Sequence, residues 1–252
     1  MAAAEVQRDP VHQVAHSFSH QGEEGEGPAP AGPSCVPAPD GAVKPAHYLP
    51  VYERLAAPLR FRRCAILELG IWKGDSLVMW RDGLPRATVV GIDLDPPHVD
   101  LGPRVHLVVG DQSDPAALAE ARRLAPGGFD LIVDDGAHQG VVAARSLQEL
   151  FVAQLKPGGA YVVEDWGTGY MAGWADGARP VPVRAGALDE HEAARLPSHD
   201  AGMVGLLKRL VDHIGARRTL ERHGYPEAAD HDPLPIESIE IRQGLAVLRK
   251  LG

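Results

Sequence analysis

Residues 64–77 read CAILELGIWKGDSL, and this stretch decides the fold. CAILEL (64–69) is a nearly continuous apolar run, which is typical of a strand that is covered on both faces in a parallel sheet. Gly70 then allows a tight turn, and Gly74 lets the backbone come close to a ligand where the next helix begins. The stretch predicts a strand, a turn and a helix with a binding site at the turn. An ordinary strand-to-helix turn is the alternative.

Further apolar runs alternate with segments of helical spacing along the chain. The runs are TVVGID (88–93), VHLVVGD (105–111), FDLIVDD (129–135) and AYVVED (160–165). This alternation predicts an α/β fold with a doubly wound, Rossmann-like sheet, which binds ligands at the carboxyl ends of its strands. Residues 201–224 then predict a long amphipathic helix in which Gly215 is a candidate break. IESIEIRQGLAVLRK predicts two terminal strands joined by a tight turn at residues 242–244.

Helix boundaries are marked by local signals. HYLPVYERLAAPL (47–59) predicts a short helix ahead of the first strand. Ser113 or Asp114 is placed to cap a helix that has Pro115 in its first turn. Lys-Pro-Gly-Gly at 156–159 predicts the end of the next helix and a turn into the fifth strand.

Composition restricts the class of protein. The 252 residues are 44% hydrophobic, which is enough for a sizeable core, and the net charge of -9 argues against binding to nucleic acid through phosphate contacts. Cys35 and Cys64 are too few for a disulfide scaffold and fit a reducing compartment. No apolar run approaches the roughly 20 residues that span a bilayer, and the N-terminus does not resemble a signal peptide. The expectation is a cytoplasmic protein without nucleic-acid or membrane partners.

The chain divides into a tail and a globular part. Residues 1–40 are rich in Gly, Pro and Glu and predict a flexible tail, whereas residues 41–252 predict the folded domain. Within that domain, the long connection at about 166–201 predicts a lid or substrate insertion. In the tail, three histidines stand four residues apart, and a metal site there would require a helix that so short a segment rarely forms. They are His12, His16 and His20.

Polar residues follow the second and third predicted strands. Asp93 comes about 20 residues after the glycines, where a carboxylate holds the ribose hydroxyls of either NAD or S-adenosylmethionine (SAM). Asp111 and Gln112 are placed to face an adenine ring, although Asp111 could equally cap the turn into the next helix. Trp72 stands where the GxGxxG fingerprint of dinucleotide-binding proteins has its second glycine. A bulky residue there makes the pyrophosphate of a dinucleotide harder to seat, so this position disfavours NAD.

Acidic residues and a histidine follow the fourth and fifth predicted strands. Asp134, Asp135 and His138 follow one strand, and Glu164 and Asp165 follow the other. If the two strands are neighbours, four carboxylates and an imidazole converge at one edge of the sheet. Clustered carboxylates repel one another unless a cation compensates, and oxygen ligands suit Mg²⁺. The alternative is that the acidic residues cap loops and the histidine is an ordinary surface residue.

ELGIWKGDSL, GIDLD, GDQSD, DDGAH and VVEDW, in this order, resemble the motifs of class I SAM-dependent methyltransferases. Within this class, the chain resembles the branch of macrolide-sugar O-methyltransferases (mycinamicin and macrocin type) and cephalosporin hydroxylase-like proteins. The resemblance covers about residues 45–252. It implies a seven-stranded sheet whose last strand is antiparallel, in agreement with the predicted terminal hairpin.

The resemblance also implies SAM and Mg²⁺ as cofactors and assigns roles to residues. It implies Asp135, Glu164 and Asp165 as metal ligands and His138 as the catalytic base, with Ala137 in a position where the family more often has Ser. The expected cofactor-binding residues all lie at strand ends or in the turns after them. They are Glu68, Gly70, Gly74, Ser76, Asp93, Asp111, Gln112 and Asp134.

The expected activity is Mg²⁺-dependent methylation of a hydroxyl on a small natural product, a sugar moiety, in antibiotic biosynthesis. Mg²⁺ would lower the pKa of the acceptor hydroxyl, and His138 would take its proton. One alternative is a non-catalytic or accessory SAM-fold protein of the cephalosporin hydroxylase-like type, since a fold does not fix a function. An NAD-dependent oxidoreductase is the other. Whether the chain forms a homo-oligomer is left open.

Overall fold

The computed structural model describes residues 44–177, 200–224 and 234–252. The predicted tail at 1–40, with its three histidines, lies outside these residues, and so does most of the predicted insertion at 166–201. Among the described residues, no helix is both long and apolar enough to cross a membrane.

The described chain alternates between strands and helices, as the sequence predicts. In chain order the elements are α1 (Leu49–Ala56), a 3₁₀ turn (Ala57–Leu59), β1 (Cys64–Leu69), α2 (Asp75–Gly83), β2 (Ala87–Asp93), β3 (Val105–Val109), α3 (Pro115–Leu124), β4 (Phe129–Asp134), α4 (Gly140–Ala153), β5 (Leu155–Glu164), a second 3₁₀ turn (Trp166–Tyr170), α5 (Gly202–Arg222), β6 (Ile236–Arg242) and β7 (Leu245–Lys250).

The described strands form one seven-stranded sheet in the order β3-β2-β1-β4-β5-β7-β6. The first five strands are parallel, and β7 is antiparallel to both β5 and β6. This order confirms the predicted doubly wound α/β sheet with a C-terminal antiparallel hairpin. It also makes β1, β4 and β5 neighbours, so the polar residues that follow these strands meet at one edge of the sheet.

Both faces of the sheet are covered, and alternate residues of β1 enter different apolar clusters. Leu67 and Leu69 pack in a cluster with residues of α4 and α5, which we call the α4–α5 face. Cys64 and Ile66 pack in a second cluster with residues of α1 and α2, the α1–α2 face. Because side chains along a strand alternate between faces, a charged residue near a strand end is directed to one of two different environments.

The structure differs most from the sequence prediction at the start of β5 and in the middle of α5. β5 begins at Leu155, so residues 156–159 form a bulge within the strand, opposite a single residue of β4, instead of a separate turn. Gly158 permits this because it adopts a φ of 71°. The second difference is that α5 continues through Gly215 without a break, because the buried apolar face of the helix outweighs the cost of about 1 kcal/mol of one helical glycine.

The start of α3 settles an alternative that the sequence left open. The N-cap is Asp114, whose carboxylate accepts a hydrogen bond of 2.9 Å from the backbone N–H of Ala116, and Pro115 is the first helical residue. Ser113 instead donates its hydroxyl to Asp111.

Candidate active site

Backbone strain is concentrated at the carboxyl end of the sheet. Among the described residues, the non-glycine residues with positive φ are Trp72 (49°), His138 (49°) and Asp165 (50°), which follow β1, β4 and β5. The left-handed conformation costs a non-glycine residue about 1–3 kcal/mol, and such residues cluster at functional sites. The three turns therefore hold their side chains at this edge against the preference of the backbone.

Two carboxylates and an imidazole converge in these turns. One ligand atom from each of Asp135, His138 and Asp165 lies within 4.8 Å of the others, and all three residues are partly exposed. Nε2 of His138 is 3.9 Å from Oδ1 of Asp135. Carboxylate oxygens with room for water or substrate oxygens suit Mg²⁺, so the donor set fits the metal that the sequence predicts.

Two more carboxylates lie deeper and are paired with a lysine that the sequence prediction did not include. Nζ of Lys44 is 2.8 Å from Oε1 of Glu68, 2.7 Å from Oδ2 of Asp135 and 2.8 Å from Oε1 of Glu164. The side chains of Lys44, Glu68 and Glu164 are 3% exposed or less. The predicted metal ligands are therefore divided: Asp135 and Asp165 face the open cluster, and Glu164 contacts Lys44 on the buried side.

Lys44 and two tyrosines form a row of donors toward these carboxylates. Tyr48 donates its hydroxyl to Oδ1 of Asp165 at 2.7 Å, and Tyr52 donates its hydroxyl to Oε1 of Glu164. Lys44, Tyr48 and Tyr52 stand four residues apart; Tyr48 is the N-cap of α1 and Tyr52 lies about one turn further along, so the two tyrosines share one face. We refer to these three residues as the donor row; they provide the cation and two of the hydrogen bonds that these closely spaced carboxylates require.

The electrostatic environment keeps Lys44 charged. Burial alone would lower the pKa of its ammonium, but the attraction of Asp135, Glu164 and Glu68 outweighs burial and raises the pKa well above its usual range. For Glu164, burial and then the neighbouring Asp135 raise the pKa, against Lys44, which lowers it. Lys44 is thus a permanent positive charge among closely spaced carboxyl groups.

The tyrosines are held as donors. Burial, and next the charge of Asp165, raises the pKa of Tyr48, and burial with the charge of Glu164 raises that of Tyr52. Both phenols therefore stay protonated at neutral pH. Burial and then Asp135 also raise the pKa of Asp165, whereas the hydrogen bond from Tyr48 lowers it.

The glycines after β1 are needed for different reasons. Gly70 has a φ of 84°, and a Cβ there would overlap the backbone carbonyl of Asp135 and lie 2.7 Å from Cα of Gly136. Gly74 has a φ of 85°, precedes α2, and would bring a Cβ to 2.8 Å from Leu101. Gly70 therefore brings the turn after β1 against the turn after β4, whereas contact of Gly74 with a ligand stays a prediction.

The second and third strand ends place their polar residues differently. Oδ2 of Asp93 accepts the N–H groups of Ile71 and Trp72 at 2.6 and 3.2 Å, and Oδ1 accepts the N–H of Asp95 at 2.9 Å. A carboxylate has about four lone-pair positions, so the described contacts leave capacity for a ribose hydroxyl. Asp111 caps its turn through the N–H and hydroxyl of Ser113, which is the alternative that the sequence left open.

Asp134 is separated from Asp135 although the two are adjacent in sequence. Its carboxylate accepts hydrogen bonds of 2.8 Å from both Tyr161 and Gln112, and it is buried on the α4–α5 face. Burial raises its pKa to about 6, against these two hydrogen bonds, which lower it. Gln112 also accepts a hydrogen bond of 2.7 Å from the backbone N–H of Ala137. Asp134 and Gln112 therefore stabilise the turn after β4. Their contact with a cofactor stays a prediction.

The remaining predicted cofactor residues, Glu68 and Ser76, are buried. Oε2 of Glu68 accepts the indole N–H of Trp80 at 2.9 Å, and Oε1 accepts from Lys44. The sequence prediction missed Trp80, Tyr161 and the donor row. A spacing of four from Lys44 to Tyr52 was the available signal, together with the requirement that buried carboxylates have partners.

An aromatic residue lies against the histidine of the cluster. The ring of Trp174 meets that of His138 edge to face, with centroids 5.5 Å apart. Tyr170 instead packs on Trp166, with centroids 6.0 Å apart, and the indole N–H of Trp166 donates to the carbonyl of Arg242. Among the aromatic residues that the structure describes after β5, Trp174 is therefore the one placed to form a wall beside His138.

Comparison with known proteins identifies the domain. A methyltransferase domain model matches residues 67–166. The chain is 34% identical over 210 residues to 8-demethyl-8-alpha-L-rhamnosyl tetracenomycin-C 2'-O-methyltransferase of Streptomyces olivaceus, over 81% of this chain and 50% of the relative. It is 31% identical over 212 residues to demethylmacrocin O-methyltransferase of Streptomyces fradiae, over 81% of this chain and 48% of the relative.

A solved structure gives the same result. The chain matches the MycE methyltransferase of the mycinamycin pathway, in complex with Mg, S-adenosylhomocysteine (SAH) and mycinamycin VI, with a TM-score of 0.59 and 30% identity. The match covers 81% of this chain and 49% of MycE. These comparisons confirm the resemblance inferred from the motifs. The chain spans about half the length of the curated relatives it matches.

Proposed function

We propose that the chain transfers a methyl group from SAM to a hydroxyl of a small natural product. It belongs to the class I SAM-dependent methyltransferases, on the branch of the macrolide-sugar O-methyltransferases. The acceptor hydroxyl is on a sugar moiety. The relatives support this choice, since those named above are O-methyltransferases of a rhamnosylated tetracenomycin and of a macrocin precursor, and MycE was solved with mycinamycin VI.

One observation carries the proposal. Asp135, His138 and Asp165 come together at the carboxyl end of the sheet, in turns that hold the last two in strained backbone conformations. An ordinary surface cluster would not require such a backbone. The arrangement combines two oxygen ligands for a hard cation with a group that can accept a proton, and together these can activate an alcohol for methylation.

His138 is proposed as the general base. Its imidazole would take the proton of the acceptor hydroxyl, and the Asp135 carboxylate at 3.9 Å would stabilise the imidazolium that results. Trp174, packed edge to face on the imidazole, would limit its rotation and form one wall of the acceptor pocket. In-line methyl transfer depends mainly on such positioning, because it converts an encounter of two reactants into a step within one complex.

Asp135 and Asp165 are proposed to hold Mg²⁺. Glu164, whose Oε1 contacts Lys44 on the buried side, is proposed as a further ligand. When bound there, the ion would supply positive charge that lowers the pKa of the acceptor hydroxyl. Tyr48 would orient Asp165 through its hydrogen bond of 2.7 Å. The chain's own contribution is therefore a set of carboxylates that is already directed before the acceptor arrives.

The methyl donor is proposed to bind at the turn after β1. Gly70 and Gly74 shape that turn, and Asp93, which already accepts two of its N–H groups, would accept a ribose hydroxyl as well. Glu68 would support the turn from its buried side, since it is fully buried and accepts hydrogen bonds from Trp80 and Lys44. The donor would then lie beside the turn after β4, which Gly70 contacts.

Calorimetric titration with SAH tests the proposal, with NAD as the control ligand and each run with Mg²⁺ or with EDTA. We expect SAH to bind, NAD not to bind, and a separate Mg²⁺ signal that is lost in Asp135→Asn. Binding of SAH without a Mg²⁺ signal would remove the metal from the mechanism. Binding of NAD alone would overturn the proposal in favour of an oxidoreductase.

A non-catalytic role is the second candidate, and a cellular experiment separates it from catalysis. If product formation in cells is abolished by deletion of the gene but unchanged by His138→Ala, the chain acts as an accessory protein. Loss of product in both strains supports catalysis, provided that the variant accumulates to the wild-type level.

A further inference from the structure

Lys44 lies at the centre of three carboxylates that come from three different strand ends. Glu68 is in β1, Asp135 directly follows β4, and Glu164 ends β5; each has an oxygen 2.7–2.8 Å from Nζ of Lys44. The lysine side chain is 3% exposed. Oxygens gathered from separate strands around one buried point are also the arrangement in which proteins hold a divalent cation. In this chain an ammonium occupies that point.

Asp135 is shared between the buried point and the open cluster. Its Oδ2 contacts Lys44, while its Oδ1 is the oxygen nearest to His138. The ammonium therefore determines which oxygen of Asp135 faces the cluster of Asp135, His138 and Asp165. The positive charge of Lys44 compensates the negative charges of Glu68 and Glu164, which are the most deeply buried carboxylates of the site. Asp165 has no ion pair with Lys44 among the described contacts and belongs to the open cluster.

We propose that Lys44 is a positioning residue that acts as a built-in cation of the active site. Its ammonium fills the inner position between Glu68, Asp135 and Glu164, so that a divalent ion binds only at the outer position beside Asp165. It also holds Oδ1 of Asp135 toward His138. This inference rests on the proposed function for its meaning in catalysis, but the occupancy of the inner position can be tested separately.

The experiment counts Mn²⁺ ions bound per chain by electron paramagnetic resonance of the free ion, in wild type, Lys44→Ala, Lys44→Arg and Lys156→Ala. Lys44→Ala empties the inner position and leaves its three carboxylates, so we expect it to bind one Mn²⁺ more than wild type. Lys44→Arg keeps the charge, and we expect it to match wild type. Lys156→Ala is the matched control, because it removes a lysine paired with Asp130 at 2.6 Å at the other end of the sheet.

Thermal unfolding keeps the test decisive if Lys44→Ala folds poorly. Three carboxylates without their cation should lower the unfolding midpoint in EDTA, and Mn²⁺ should raise that midpoint toward the wild-type value. Mn²⁺ should not do so for Lys156→Ala. A Lys44→Ala protein with the wild-type number of Mn²⁺ ions and no Mn²⁺-dependent recovery would overturn the inference.

The result separates this inference from the proposed function. The inference predicts that Lys44→Ala binds one Mn²⁺ ion more than wild type. This difference can be measured even if wild type binds no Mn²⁺. Wild type without Mn²⁺ and a variant with one would contradict the metal-assisted mechanism and the outer ion, but would support the ammonium of Lys44 as the occupant of the inner position. SAH titration of the same proteins shows independently whether the methyl-donor site is present.

Discussion

Lysine–carboxylate pairs occur at both ends of the sheet, but they are partly exposed at one end and buried at the other. At the amino ends of β4 and β5, Lys156 is paired with Asp130 at 2.6 Å and keeps 31% of its side chain exposed. At the carboxyl ends, Lys44 is buried among three carboxylates. A partly exposed pair contributes little to stability, whereas a buried group of charges is costly unless each member has partners. The difference indicates that the carboxyl end is built for binding and chemistry.

Backbone conformation shows the same contrast. At the amino end, the positive-φ residues next to β4 and within β5 are glycines, Gly128 and Gly158, which adopt this conformation without strain. At the carboxyl end, His138 and Asp165 adopt it despite their side chains. Strain is therefore located where side chains with functional groups are required.

The largest expected effect is on catalysis at the carboxyl end. His138→Asn removes the proposed base while keeping a residue that tolerates positive φ. We expect kcat to fall by about 10²–10⁴-fold, the usual contribution of general acid–base catalysis, with the affinity for SAH unchanged. Methyl transfer to an accepted sugar substrate and SAH calorimetry measure the two quantities. Lys156→Ala, at the other end, should retain activity; an equal loss in both variants would contradict the contrast between the two ends.

The next effect compares two glycines of similar φ at opposite ends of the sheet. In Gly70→Ala, a Cβ at a φ of 84° would overlap the carbonyl of Asp135, and we expect unfolding free energy to fall by roughly 2–5 kcal/mol. In Gly158→Ala, at a φ of 71°, a Cβ meets no atom within 4 Å, so only the backbone cost of about 1–2 kcal/mol is expected. Urea unfolding of both variants gives the comparison. Equal losses would mean that the turns after β1 and β4 are not packed together as described.

The smallest effect concerns pH and the buried Asp134. Because burial raises the pKa of Asp134 from 3.8 to about 6, the folded state favours the protonated acid. Its contribution to stability is present at low pH and is lost as pH rises through 6, by about 2 kcal/mol between pH 4.5 and 7.5. Asp134→Asn is always neutral, so its stability should fall by about 2 kcal/mol less than that of wild type over this interval. Urea unfolding at both pH values measures this; parallel changes in the two proteins would show that Asp134 is not the group responsible.

Much of the fold could be predicted because the signals are local. The apolar run at 64–69 matches β1 residue for residue, and the predicted hairpin turn at 242–244 joins β6 to β7. Asp114 was one of two predicted caps for α3 and is the one observed. The misplaced start of β5 shows the limit of such signals: a Gly-Gly pair at 158–159 predicts a turn, but pairing with β4 absorbs it as a bulge.

The site could be predicted only in part. The sequence alone determined that carboxylates and a histidine lie at the carboxyl ends of β4 and β5, since each of these residues ends an apolar run or follows one within a few positions. Tertiary structure decided which environment each of these side chains enters. Asp134 and Asp135, adjacent in the chain, are directed to different environments, because successive residues of a strand point to opposite faces of the sheet.

The donor row also depends on tertiary structure. The strand-end motifs of the sequence determined a class I methyltransferase domain with an acidic edge. Only the packing of the segment before β1 against that edge decided that Glu164 is paired with Lys44 and that Tyr48 donates to Asp165. A buried charge requires a partner on energetic grounds, but which residue supplies it depends on contacts between segments far apart in the chain, and no local pattern of sequence encodes those.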